Sequence, residues 1–330
     1  MISGTAPVSL ADLQVAVEER LHGVRGEIHR LIEADFPLIA QVNSHLTRMQ
    51  GKMFRPTLLL LAESATSAEP DRRAVSLAAV VELIHLATLV HDDAVDHSVL
   101  RRGMPTINAL FTHQIAVIMG DYLYSRAVIE LVRLADLEPL RVLSRVTNEM
   151  TVGEMRQLLA HDPLAFSEAD YDLLIRAKTA SLISGACEVG ALRGTPAERD
   201  AMRRFGEGLG MAFQIVDDVL DFTGDEADTG KPAGLDLREH KVTLPLIHAL
   251  PKMSAPERAL VEALMDAPEP TDGQIASVVG AVTARGGLEY ARARAQQLCA
   301  QAEAALEALP PSPARETLRA SLTYVLERRR

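Results

Sequence analysis

Residues 74–96 read AVSLAAVVELIHLATLVHDDAVD. Leu77, Val80, Val81, Ile84 and Leu89 recur at three- and four-residue spacing, which places them along one stripe of an α-helix. The stretch Ala74 to Val90 is apolar enough to raise the question of a membrane span. Glu82 and His85 sit inside it, however, and ionisable groups are costly in lipid. The expectation is a buried helix of a soluble protein, ending abruptly in the carboxylates Asp92, Asp93 and Asp96.

Outward from this helix the punctuation is helical throughout. Ser9 with Asp12, Ser167 with Asp170, Thr195 with Glu198, and Ser254 with Glu257 each have the form of an N-cap with an acid three residues on. Pro56, Pro139, Pro196 and Pro313 fall where a first helical turn tolerates a missing N–H. No convincing alternating strand appears, and the Asp272–Gly273 pair lies between Ala-rich helical segments. Thr223 to Glu239 is the longest irregular stretch, and long loops in helical domains tend to be functional. The pattern predicts an all-α chain of roughly ten to thirteen helices, a single domain over residues 1–330.

Composition narrows the function. Aromatic residues make up only 4% of the 330, which is thin for a β-sandwich or barrel. Asp and Glu total 45 against 34 Lys and Arg, a net charge of −11, so no cationic footprint for nucleic acid is expected. The two cysteines, Cys187 and Cys299, are too few for a disulfide framework or a structural zinc site. Met1 to Leu10 shows no basic region followed by an apolar block, and a cytoplasmic location follows as the expectation.

The carboxylates carry the chemistry. Asp92 and Asp96 stand one turn apart on one helix face, and Gln214-Ile215-Val216-Asp217-Asp218-Val219-Leu220-Asp221 repeats the pattern at the end of a second apolar helix. One such cluster reads equally well as a solvated helix end. Two copies tell against that, because like charges at i, i+4 cost a few tenths of a kcal/mol and helix C-termini disfavour acids. Hard oxygen ligands without a Cys or His sphere suit Mg²⁺ shared with phosphate oxygens. Lys52 and Arg55 in Gly51-Lys52-Met53-Phe54-Arg55-Pro56, Arg101-Arg102-Gly103, Lys178-Thr179, Lys231 and Lys241 supply the complementary donors.

These elements, in this order, resemble the trans-isoprenyl diphosphate synthases of the polyprenyl synthetase family. The likeness runs from Gly51 to Leu246 and includes Gly230-Lys231-Pro232 and Lys241-Val242-Thr243-Leu244-Pro245; Gln50 and Met53 depart from it, standing where many members have Gly and a basic residue. The resemblance implies a helical bundle around a central cavity and a homodimer, with transient membrane contact on product release. It implies that Asp92, Asp93 and Asp96 on one side, and Asp217, Asp218 and Asp221 on the other, hold Mg²⁺, three ions with substrate bound, on an allylic diphosphate. Arg101, Lys178 and Lys231 would bind the same diphosphate, Lys52, Arg55, His85 and Arg102 would bind isopentenyl diphosphate, and Lys241 is a further binding residue. Thr179 and Gln214 would offer oxygen dipoles to a carbocation, the released diphosphate would accept the proton, and the Thr223–Glu239 loop would exclude water.

Rival readings are weaker. A terpene cyclase needs no second diphosphate site, and a regulatory subunit should lack one acid motif. Glu82-Leu83-Ile84-His85 spells the ExxH of di-iron bundles, but no second copy exists. Short-chain members of the resembled family tend to carry aromatic rings just before the first motif, where this chain has Ala87 and Thr88. The expectation is therefore a long product, hexaprenyl to decaprenyl, with the tunnel floor near Val128, Leu131 or Val132. A farnesyl or geranylgeranyl product is the alternative.

Overall fold

Helix caps delimit the elements of the computed structural model, which describes residues 8–49, 51–101, 103–158, 163–223 and 234–328. The backbone N–H groups of Ser9, Ser167, Thr195 and Ser254 donate to the acid three residues on, at 2.8, 3.1, 2.6 and 2.7 Å. Each closes an orphan donor at a helix start.

The helices follow in order: α1 (Leu10–Gln14), α2 (Glu18–Ile32), α3 (Pro37–Arg48), α4 (Phe54–Thr66) and α5 (Arg73–Val95). A two-residue antiparallel pair comes next, β1 (Leu100–Arg101) with β2 (Met104–Pro105). Then come α6 (Ile107–Leu110), α7 (His113–Arg133), α8 (Leu137–Leu158), α9 (Glu168–Ile175), α10 (Ser181–Gly190) and α11 (Pro196–Thr223). The chain continues through α12 (Leu235–Arg238), α13 (Leu244–Ala249), α14 (Ala255–Met265), α15 (Asp272–Ala284), α16 (Gly287–Ala305) and α17 (Pro313–Glu327). Among the described residues thirteen of these run eight residues or longer: α2 to α5, α7 to α11 and α14 to α17. The small β1–β2 pair is the single strand pairing among them, in a stretch that carries no strand period.

α5 has the length and apolar character of a membrane-crossing helix, yet it lies at the centre of the bundle, packed by α2, α4 and α7. Its residues Ala78 to Val81 and Leu83 are fully buried. α10 occupies the equivalent place on the other side, against α4, α8 and α11. Burying helices on all faces explains why neither has the polar stripe of a surface helix. A second apolar cluster, Leu246, Val261, Leu264, Val278 and Val282 among others, ties α13, α14 and α15 together below α11.

Between α9 and α10 the helix widens into a π-helical turn, Arg176–Ala180. Two glycines clamp it. A Cβ on Gly153 of α8 would meet the Ala177 Cβ at 2.6 Å, and one on Gly210 of α11 would meet the Ala180 Cα at 2.6 Å. π turns are uncommon and concentrate at functional sites.

Candidate active site

The ends of α5 and α11 and the π turn enclose two joined hollows. One, of about 370 Å³, is lined by Asp96, Lys178, Thr179, Gln214, Asp218, Asp236 and Lys241. The other, of about 670 Å³, is lined by Arg55, His85, Ala87, Thr88, His91, Asp92, Asp121 and the inner face of α8. Asp96, Lys178 and Thr179 line both, so an acidic chamber opens directly into a larger one.

On the α5 side, Asp92 and Asp96 face the chamber while Asp93 turns inward and is buried. Arg101 grips Asp93 with its Nε at 2.8 and 2.9 Å from the two carboxylate oxygens and its Nη2 at 2.8 Å. Arg101, which the resemblance assigns to diphosphate, is thus used by the β1 strand to hold the end of α5. Burial pushes the Asp92 carboxyl up to about 6; Lys178 pulls it back, and Glu154 and Asp96 raise it further.

On the α11 side, the fully buried Asp218 accepts from the Tyr171 hydroxyl at 2.6 Å and from the Gln214 amide at 2.8 Å. Both donors are neutral. Burial, with Asp236 nearby, pushes Asp218 up to about 7 against the pull of those two hydrogen bonds. Asp217 pairs with Arg328, whose guanidinium lies 4.0 Å from the centre of the Phe213 ring. Asp221 accepts the backbone N–H groups of Leu235 and Asp236, both at 3.1 Å, and so caps α12 and brings Asp236 back to the chamber. At the π turn, Lys178 bonds Glu154 at 2.8 Å, and the Thr179 hydroxyl donates to Gln214 Oε1 at 2.9 Å.

The remaining candidates are spread around the rim. Lys52 is exposed just before α4, in a segment anchored by Gln14, whose Nε2 donates to the Lys52 carbonyl at 2.8 Å. Arg55 and His85 line the larger hollow, and Lys241 lines the smaller, bonded to Glu239 at 2.6 Å. Arg102 and Lys231, with Gln50, Gly230, Pro232 and most of the Thr223–Glu239 loop, lie outside the described residues. Ala87 and Thr88 line the larger hollow one turn and more below Asp92. Val128, Leu131 and Val132 do not: Leu131 is buried in the core and Val132 faces outward. The far end of the hollow is instead formed by Tyr124, Ser144 and Thr147, because it follows α8 rather than the lower part of α7.

Sequence reasoning missed Tyr171, Glu154, Gln157, Asp236 and Arg328, which come from four helices. No local motif marks the first three or Arg328. Asp236 sits in the stretch singled out as a functional loop, and an acid there was the available signal.

The contrast with other buried acids isolates the site. Glu63 is met by Arg20, Glu130 by Arg30 and Arg133, and Glu188 by Arg145 and Arg199, all between 2.6 and 3.0 Å. Those ion pairs are structural. Asp92 and Asp218 are instead buried with raised pKa values, around a chamber that also holds Asp96 and Asp236. Among the described residues no three such side chains converge into a closed metal cage. Carboxylates divided between two walls suit a hard divalent cation that keeps open positions for phosphate oxygens.

A helical bundle with acid clusters on two facing helix ends, cations between them and a hydrocarbon-sized gallery beneath defines the class of isoprenoid diphosphate synthases. The polyprenyl synthetase family model matches residues 36–282, and the chain belongs to that family. It is 37% identical to the octaprenyl diphosphate synthase of Escherichia coli (strain K12), over 94% of this chain and 96% of that one. It is 40% identical to the all-trans-nonaprenyl-diphosphate synthase (geranyl-diphosphate specific) of Rhodobacter capsulatus, over 88% of this chain and 89% of that one. The crystal structure of a polyprenyl synthase from Caulobacter crescentus CB15, complexed with calcium and isoprenyl diphosphate, superposes with a TM-score of 0.92 at 34% identity, covering 99% of this chain and 100% of that one.

Proposed function

We infer that this protein is a prenyltransferase, an all-trans polyprenyl diphosphate synthase. It joins isopentenyl diphosphate head to tail to an allylic diphosphate, with a hexaprenyl to decaprenyl product of the kind used for quinone side chains. The observation that carries the reading is the meeting of Asp92, Asp96 and Asp218 across Lys178, where an acidic chamber opens into the larger hollow. Family membership and the long-chain relatives support it.

Asp92 and Asp96 from α5, with Asp217, Asp218 and Asp221 from α11, are the residues that would hold Mg²⁺, three ions with substrate bound. When bound, the metal supplies charge neutralisation for a departing diphosphate. Lys178 exchanges Glu154 for a phosphate oxygen, and Lys241 approaches from the opposite wall. Lys52, Arg55 and His85 receive the second diphosphate, joined by Arg102. Asp93 acts through Arg101, which fixes the end of α5 and keeps Asp92 and Asp96 facing inward. Because the Thr179 hydroxyl donates its proton to Gln214, what it can offer an allylic cation is its oxygen lone pairs. The isopentenyl double bond then attacks, and the released diphosphate takes the proton.

The chain acts as one domain over residues 1–330 and as a homodimer, which the exposed apolar row Ile118, Ile129 and Val132 on α7 supports. Two buried free thiols, Cys187 and Cys299, support a reducing cytoplasmic setting.

The test is incubation of purified protein with Mg²⁺, labelled isopentenyl diphosphate and allylic primers of increasing length. Extended polyprenyl diphosphates of six to ten units are expected. Cyclised hydrocarbon from the primer alone, or products stopping at three or four units, would replace this reading with a cyclase or a short-chain synthase.

A further inference from the structure

The larger hollow is a groove, and one chain does not close it. Its base on α5 is sealed, with Ile84 and Ala87 only 1% and 2% exposed. Its rim is open: Tyr124 on α7, and Ser144, Asn148 and Thr151 on α8, are exposed, and Met155 is 56% exposed. Among the described residues nothing roofs it.

The rim sequence is polar, but the surface it presents is less so. The hydroxyls of Thr147 and Thr151 donate to the carbonyls of Ser144 and Thr147 at 3.1 and 3.0 Å, and that of Thr88 to His85 at 2.8 Å. With the hydroxyls turned onto their own helices, methyl groups are left to face the groove. The lining suits a hydrocarbon, and a hydrocarbon tail in an unroofed groove would lie against water.

Length sharpens the problem. From Leu158 to Ser144 the groove follows fourteen residues of α8, about 21 Å at about 1.5 Å per residue, room for about four isoprene units of about 5 Å each. A tail of six to ten units must continue past Tyr124 and Ser144.

Beside that exit, the exposed face of α7 is symmetric about a small residue. Ile118 and Val132 stand seven residues either side of Ser125 and are 63% and 64% exposed, with Ile129 at 56% on the same face. Seven-residue spacing keeps such residues on one seam. Antiparallel pairing of α7 with a second α7 about Ser125 would set Ile118 against Val132 at both ends, the self-complementarity that a two-fold interface requires. A pattern matching its own reverse favours another copy of this chain over an unrelated partner. Val152, 43% exposed on α8, borders the groove on the opposite side.

We propose that a second copy of this chain, packed two-fold along α7, roofs the groove and completes the channel for the growing tail. The inference rests on the polyprenyl synthase reading above. Product length beyond about four units then depends on pairing, whereas the first condensations, made at the aspartates and Lys178 of one chain, do not.

Val132→Arg sets a cation against Ile118 of the second copy at both ends of the seam; Ile118→Glu, added to it, restores an oppositely charged match. Both sites are exposed and away from the aspartates, so folding should be retained, with circular dichroism as the check. Sedimentation should show a dimer for wild type, a monomer for Val132→Arg and a dimer again for the double variant. Val132→Arg should incorporate isopentenyl diphosphate onto a short primer at the wild-type initial rate but stop at about four units or fewer, and the double variant should regain full length. A monomeric wild type, a monomeric Val132→Arg protein making full-length product, or a length restored by phospholipid vesicles instead of by Ile118→Glu would overturn the proposal. A wild type that extends no primer would overturn the enzymatic reading instead, so the two failures are distinct.

Discussion

Ala87→Phe should convert a long-chain product into one of about three or four isoprene units. Ala87 lies on the sealed base of the groove, five residues before Asp92, which is about 7.5 Å along the helix axis. Helical side chains lean toward the N-terminus, so a ring at this position covers the turn below its own Cα. The obstruction then spans about 7.5–13 Å from the metal-binding end, where the third unit of about 5 Å would lie. Thr88→Phe, one residue nearer Asp92, should act in the same direction. Overpacking costs typically 1–3 kcal/mol where a ring is forced into a filled core. Here a 670 Å³ hollow accepts it, so the fold should survive. The assay is chromatographic sizing of products made from labelled isopentenyl diphosphate and a short primer, with initial rates measured alongside. A folded, active Ala87→Phe enzyme that still makes wild-type lengths would show that the tail does not run along α5.

Asp92→Ala and Asp217→Ala should each lower turnover by orders of magnitude with helical circular dichroism unchanged, and full activity in excess chelator would remove the metal argument. Lys52→Ala should raise the apparent KM for isopentenyl diphosphate more than that for the primer, by about ten- to a hundred-fold if a charge-assisted bond of about 1.5–3 kcal/mol is lost; equal effects would mean that Lys52 serves both sites. Burial raises Asp218 to about 7, so the metal-free folded protein holds this proton more tightly than the unfolded chain does. The group's stabilising contribution is complete below about pH 4 and is lost as pH rises through 7. Asp218→Asn should therefore gain melting temperature relative to wild type across that window in chelator, and a flat difference would refute the assignment. Burial pushes both thiols up to about 12, so neither Cys187 nor Cys299 should react with a thiol reagent in the native protein, while both should after denaturation.

Periodicity and caps made the helices legible, because apolar spacing and an acid three residues after Ser or Thr are local properties of a chain. The π turn at Arg176–Ala180 was not legible, since it depends on Gly153 and Gly210 pressing from two other helices. The same division runs through the site. The aspartate clusters stand out in sequence because like charges at i, i+4 after a buried helix need a reason. Tyr171 and Glu154 do not, because a tyrosine or glutamate acquires its role only from what it faces.

Read alone, the order of residues determined an all-α chain, the two acid-ended helices, the basic residues that complement them, and small residues where a tail must pass. All of these are matters of residue type and spacing. Tertiary structure decided which carboxylates turn inward: Asp92 and Asp96 face the chamber, while Asp93 is taken by Arg101. It also decided where the groove runs, along α8 past Thr147 rather than toward Val128 and Leu131. The physical reason is that orientation and path are set by how helices distant in sequence pack together, and no local pattern encodes that.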